Sequence, residues 1–202
     1  MTFEYLATYL NSFAYILPPF RQYGGRYFIY FVVLALGNPF IVLLAETNHI
    51  NPNYSICMVA WAAFVSIIDK KWIKERALYF IILTLLLYFG VFYLEHTVVR
   101  IIIITLNFFI LFHFIKEAAK YYGENYSLHS GFFILALYEI GIISKLYLIV
   151  SNIKLGVAYF YLTDLFEILI AIFFTFYKVE NSPIIRFKKV EKWKYPFAPI
   201  IE

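Results

Sequence analysis

The sequence predicts an all-α, polytopic membrane bundle of seven transmembrane helices, with the N-terminus outside and the C-terminus cytoplasmic. Three observations predict it. The 202 residues are 63% hydrophobic and 15% charged, whereas soluble domains are about half apolar and a quarter charged. Mean hydropathy is +0.75. Seven apolar blocks approach the ~20 residues that a helix needs to cross a ~30 Å hydrocarbon layer. Fourteen of the seventeen Lys and Arg fall in alternate links and the C-terminal segment, the bias that marks cytoplasmic loops. The composition excludes a disordered chain. The blocks do not alternate as the ~10-residue strands of a membrane β-barrel do.

In chain order the blocks are Phe3–Phe20, Tyr27–Ala45, Tyr54–Ile68, Ala77–Leu94, Val98–Ile115, Leu128–Val150 and Leu155–Tyr177. The first carries Glu4 and Asn11 and ends at Pro18-Pro19. Met1-Thr2-Phe3-Glu4 has no positive n-region, so this block is read as a span rather than a signal peptide. The second contains Asn38-Pro39, where proline frees a backbone carbonyl. The third is short and spans with little tilt or ends near the interface. Tyrosines crowd the block ends, as an interfacial aromatic belt requires. Residues 1–177 form the bundle and 178–202 a basic, aromatic tail.

The basic residues set the orientation. Arg21 and Arg26 follow block one, Lys70, Lys71, Lys74 and Arg76 follow block three, and Lys116 and Lys120 follow block five. The tail adds Lys178, Arg186, Lys188, Lys189, Lys192 and Lys194. With seven spans these all share one side, the cytoplasmic one. The expected location is the cell membrane, as in a bacterial inner-membrane protein.

Charge at membrane depth is costly, about 2.5–3.5 kcal/mol per residue on insertion scales. Block seven nonetheless holds Asp164 and Glu167, which lie three apart on one helical face. Block six holds Glu139 and Lys145, and block five holds Arg100, Asn107 and His113. These seven residues are the candidate intramembrane polar network. Lys145 and Asp164 differ in depth by about 6 Å at 1.5 Å per residue, so a bridge between them is within reach. Asp164 and Glu167 are expected to face the interior, with Leu165, Phe166, Leu169, Ile172 and Phe173 left for lipid. The network is either a substrate path, proton relay or ligand site, or a paired structure that fixes helix register.

Other chemistry finds no support. The single Cys57 excludes an intrachain disulfide. His49, His96, His113 and His129 lack metal-ligand spacing. Gly24-Gly25 is a turn rather than a phosphate loop. No nucleophile stands beside the carboxylates, so no enzyme, cofactor or metal centre is expected.

The tail places Phe187, Trp193 and Tyr195 among Arg186, Lys188, Lys189, Lys192 and Lys194. Such a segment can lie on an anionic leaflet, gaining ~1 kcal/mol per basic residue. It can also dock a cytoplasmic protein partner, or bind RNA by charge and stacking.

Seven spans, an outside N-terminus and short loops resemble the microbial rhodopsins. Asp164 matches the aspartate of their seventh helix, but Ile168 stands at the position of the retinal lysine. Leu135-Ala136-Leu137-Tyr138-Glu139 keeps only the tyrosine of the sixth-helix Trp-x-x-Tyr-Pro pattern. Ala60 precedes Trp61 where the third-helix pattern has an acid. The chain is thus similar to a retinal-free relative, such as the small membrane accessory proteins of type VI CRISPR loci. That resemblance implies an antiviral accessory role beside an RNA-guided RNase.

The expected function is therefore a non-enzymatic accessory or sensor protein that signals through cytoplasmic loops and tail. The alternative is a small transporter or channel using the intramembrane carboxylates.

Overall fold

A computed structural model describes residues 3–47, 51–151, 153 and 157–186, and the side chains of these except residues 3–8, 45–46 and 157. The described chain is almost entirely helical. Its helices are α1 (Phe3–Ala14), α2 (Pro18–Gln22), α3 (Phe28–Thr47), α4 (Pro52–Ile67), α5 (Lys70–Glu75), α6 (Ala77–Gly90), α7 (His96–Asn125), α8 (Ser130–Val150) and α9 (Val157–Phe176). A 3-10 turn covers Val91–Tyr93, and two short strands, β1 (Ser127–His129) and β2 (Ile184–Arg186), complete it.

Among the described residues three helices are long and apolar enough to cross a membrane: α7, α8, and α9 from Ala158. Shorter apolar helices cover Phe28–Leu44, Pro52–Ile67 and Ala77–Tyr93. Several apolar blocks differ from the helices that form within them. Block one is two helices, because Pro18 and Pro19 lack the N–H groups that would bond the Ala14 and Tyr15 carbonyls. Block five is too short as read. Lys116, Glu117, Lys120 and Glu124 end the apolar run but are good helix formers, so α7 continues to Asn125 and stops at Tyr126, with φ +50°. Polar caps start two helices. The Asn51 side chain accepts from the Asn53 N–H ahead of α4, and Asp69 accepts from Lys71 N–H ahead of α5.

Contacts give the helix directions. Asn11 meets Glu167 and Arg21 meets Phe176, so α1–α2 runs parallel to α9. Gly37 abuts Val59 between α3 and α4, and a Cβ at Gly37 would come within 2.6 Å of Val59 Cγ1. Trp61 donates to Thr84 while Tyr54 stacks near Phe92, which sets α6 antiparallel to α4. Phe64 packs on Phe109 and Asn51 on His96, which sets α4 parallel to α7. Lys145 meets Asp164 while Gly131 meets Ser182 just past α9, which sets α8 antiparallel to α9, and Tyr27 meets Phe132 while Tyr30 meets Glu139, which sets α3 parallel to α8. The segments α1–α2, α3, α4, α6, α7, α8 and α9 therefore alternate in direction.

One end of the bundle gathers the Arg26–Glu117 ion pair at 3.2 Å and the Glu180 carboxylate, which accepts from Arg26 N–H. Here β1 and β2 pair antiparallel, with Ser127 opposite Arg186. A wholly helical reading did not anticipate this ladder. Residues 178–186 do not hang free. Gly131 N–H donates to Ser182 Oγ and Ser130 N–H to the Pro183 carbonyl, so the tail's first third caps the start of α8.

The interior is built on aromatic residues, among them Tyr15, Tyr27, Phe31, Phe114 and Phe174, with a second cluster around Cys57, Trp61, Phe80 and Ile103. Outward faces are also apolar. Leu36, Phe112 and Leu162 are each about two-thirds exposed, as an apolar solvent surrounding the bundle would allow.

Candidate functional site

Polar side chains from four helices converge inside this apolar bundle. Lys145 Nζ on α8 lies 2.7 Å from Asp164 Oδ1 and 2.6 Å from Glu167 Oε1, both on α9. Asp164 and Glu167 reach one cation because three residues is nearly one helical turn. Asn11 on α1 donates from Nδ2 to Glu167 Oε2 at 2.6 Å, with Asp164 Oδ1 at 3.4 Å. Tyr15 OH donates to the Glu167 carbonyl. Glu167 is thus the hub, held by an ammonium, an amide and its own helix.

Glu139 sits six residues before Lys145 on α8, about 9 Å along the axis. It is 1% exposed. Tyr30 OH on α3 donates to its Oε1 at 2.6 Å, while Oε2 has no hydrogen-bond partner among the described residues. Asn11 Oδ1 is likewise buried without a partner among the described residues. Both residues line a cavity of about 300 Å³, together with Lys145, Glu167, Asn107 and Asn38. Ser12 and Tyr138 add two hydroxyl groups, and the rest of the wall is hydrocarbon, including Leu34, Ile41, Val59 and Leu146.

The seven-residue network expected from sequence divides into separate parts. Lys145, Asp164 and Glu167 form the ion cluster, Glu139 joins it across the cavity, and Asn107 contributes wall while donating to the Ile103 carbonyl. Arg100 does not belong. Its Nε points to Asn53 Oδ1 at 3.4 Å, near the Asn51–His96 contact. His113 does not belong either. Its Nε2 is 3.3 Å from Tyr27 OH, and its ring lies edge-on to Phe114. The reason is helical geometry: Arg100 lies about 10 Å up the axis of α7 from Asn107, and His113 about 9 Å the other way and on another face. Of the tail residues, Arg186 is exposed on β2. Lys188, Lys189, Lys192, Trp193 and Lys194 lie outside the described residues.

Leu165, Phe166, Leu169 and Ile172 point outward, while Phe173 packs partly into the core. Three partners were not assigned from sequence. Asn11 was read only as a polar interruption in block one, although an amide in an apolar block is itself a signal of an interior partner. Tyr30 stands near the start of block two, where it resembles an interfacial tyrosine, and Tyr138 reads only as the tyrosine kept from the sixth-helix pattern. In the fold they are buried, and Tyr138 hydrogen-bonds with Asn38 and Tyr15.

Chemically, the site offers charged groups of both signs and, among the described residues, unpartnered acceptors in a largely apolar pocket. Among the described residues no three metal-ligating side chains converge. No family model, curated protein or solved structure matches the chain.

Proposed function

We propose that this chain is a multi-pass membrane protein of seven spans, N-terminus outside, whose internal cavity binds a small polar ligand. It acts without catalysis, as a sensor or accessory protein that reports occupancy at its cytoplasmic end. The alternating helix directions, the apolar outward faces and the gathering of basic residues at one end support the seven-span orientation. The cavity carries the functional reading: about 300 Å³ lined by Lys145, Glu139, Glu167 and Asn11, within the size range of small-molecule sites. Ionisable groups held inside a membrane bundle mark such sites by default.

A route from cavity to cytoplasmic end supports the sensor role. Asn11 and Glu167 touch at the cavity, and the same two segments touch again through Gln22. Its buried amide donates to the Phe174 and Tyr177 carbonyls and accepts from Val179 N–H. A shift of α1–α2 against α9 would therefore reach residues 178–186. The site holds nothing specific to nucleic acid, so the antiviral role implied by the resemblance forms no part of the proposal. Ile168 at the retinal-lysine position, and the engagement of Lys145 with two carboxylates, argue for a retinal-free site.

A transporter is the second reading. Pro39 interrupts the hydrogen-bond ladder of α3 beside Asn38 and Ile41 of the cavity wall, and broken helices flank many transport sites. The test of binding is a thermal-shift screen of the purified chain with small solutes of every charge class. At least one class should stabilise the wild type and not Ala60→Leu, which fills the cavity. Equal shifts in both would refute the reading. Solute flux in proteoliposomes would favour the transporter, and binding without flux the sensor.

A further inference from the structure

The cavity wall has an imbalance that specifies a ligand class. Its unpartnered buried atoms, Asn11 Oδ1 and Glu139 Oε2, are both acceptors. Its donors already have partners: Lys145 bonds two carboxylates, Asn11 Nδ2 bonds Glu167, Asn107 Nδ2 bonds the Ile103 carbonyl, and Tyr138 hydrogen-bonds with Asn38 and Tyr15. A buried acceptor without a donor costs about 1–3 kcal/mol, so the site is completed by a molecule that donates. Protonation of Glu139 would not complete it. It would convert one orphan acceptor into an orphan donor and leave Asn11 Oδ1 as before.

Charge points the same way. Two carboxyl groups, Glu139 and Glu167, line the cavity against the one ammonium of Lys145, which Asp164 also engages from outside the wall, and Arg100 and His113 are committed elsewhere. Lys145 offsets a single carboxylate of the Asp164–Glu167 pair. A buried carboxylate is tolerated when paired, and a cationic ligand supplies that pair.

We propose that the cavity is a site for a small primary ammonium, whose N–H groups bond the Glu139 carboxylate and the Asn11 amide oxygen while its hydrocarbon body lies against Leu34, Ile41 and Val59. This rests on the reading of the cavity as a ligand site. The volume of about 300 Å³ holds about ten water-sized groups at ~30 Å³ each, which limits the body to a short chain or one ring. A quaternary ammonium fits poorly. It has no N–H to donate, and its usual partner is an aromatic cage, whereas among the described residues Tyr138 is the one aromatic side chain on this wall.

The test is calorimetric titration of the full chain in nanodiscs with n-butylammonium, tetramethylammonium, 1-butanol and butyrate. The expected result is n-butylammonium bound at least tenfold more tightly than the other three. Glu139→Gln, which keeps an acceptor for Tyr30 but removes the charge, should lose at least tenfold. The selectivity of the wild type needs no variant, so it decides the matter even where Glu139→Gln fails to accumulate. Absence of n-butylammonium binding, equal binding of the alcohol or the quaternary ion, or full affinity in Glu139→Gln would each overturn the ammonium assignment. Ala60→Leu and Ile142→Phe separate the two readings. If they abolish binding of a probe other than the ammonium, the cavity reading stands and only the ligand class falls. If n-butylammonium binds both as it binds wild type, the cavity reading and the assignment fail together.

Discussion

Replacing Lys145 by methionine removes the one ammonium of the ion cluster while keeping length and most of the volume. Its Nζ is 2.7 Å from Asp164 and 2.6 Å from Glu167, and the two carboxylates are 17% and 9% exposed. Their other partner is Asn11, a neutral amide. Removing one member of a buried ion pair costs about 3–5 kcal/mol, because the surviving charge is left uncompensated. At 1.4 kcal/mol per decade this is a loss of about 10²–10⁴ in the folding equilibrium constant. Most of that cost is stranded charge rather than lost attraction. Neutralising the partners should therefore recover it, and Lys145→Met/Asp164→Asn/Glu167→Gln should lie within about 1–2 kcal/mol of wild type. Reversible SDS-induced unfolding in mixed micelles, followed by circular dichroism, measures all of these variants. Within the pair, Glu167→Gln should cost more than Asp164→Asn, since Glu167 holds both Lys145 and Asn11 at 2.6 Å. A triple variant as unstable as Lys145→Met alone would refute the argument. So would a single variant indistinguishable from wild type.

Tyr30→Phe should destabilise the chain by about 1–3 kcal/mol in the same assay, by leaving both oxygens of Glu139 without a protein donor; a neutral effect would mean that Glu139 is satisfied another way. Gly37→Leu should cost about 1–3 kcal/mol through overpacking, since a Cβ there meets Val59 Cγ1 at 2.6 Å. Val59→Ala should relieve part of that loss, and no relief would place the clash elsewhere. A C-terminal alkaline phosphatase fusion should be inactive and a fluorescent-protein fusion bright, because basic residues concentrate at the end shared by residues 178–186; an active phosphatase would invert the orientation.

The helical class, the apolar runs and the ionisable residues that interrupt them could be read from the sequence. Each is local: hydropathy summed over a block, and ionisable residues that stand out because hydrocarbon penalises them. Asp164 and Glu167 could be placed on one face by spacing alone, and Lys145 near their depth by counting residues. Blocks one and five went astray where hydropathy and helicity part company. Pro18-Pro19 breaks a helix without breaking an apolar run, and Lys116–Asn125 continues a helix past the end of one.

Tertiary structure decided the partners. Asn11 lies 156 residues from Glu167, and Tyr30 lies 109 residues from Glu139. No local pattern encodes those distances, because they arise from the order in which helices pack. The same packing excluded Arg100 and His113 from a network to which their polarity had assigned them, and it seated residues 178–186 on the start of α8. It also left Glu139 Oε2 and Asn11 Oδ1 without donors among the described residues, beside a cavity. A sequence shows which groups are polar, but an unmet hydrogen bond exists only once every neighbour has taken its place.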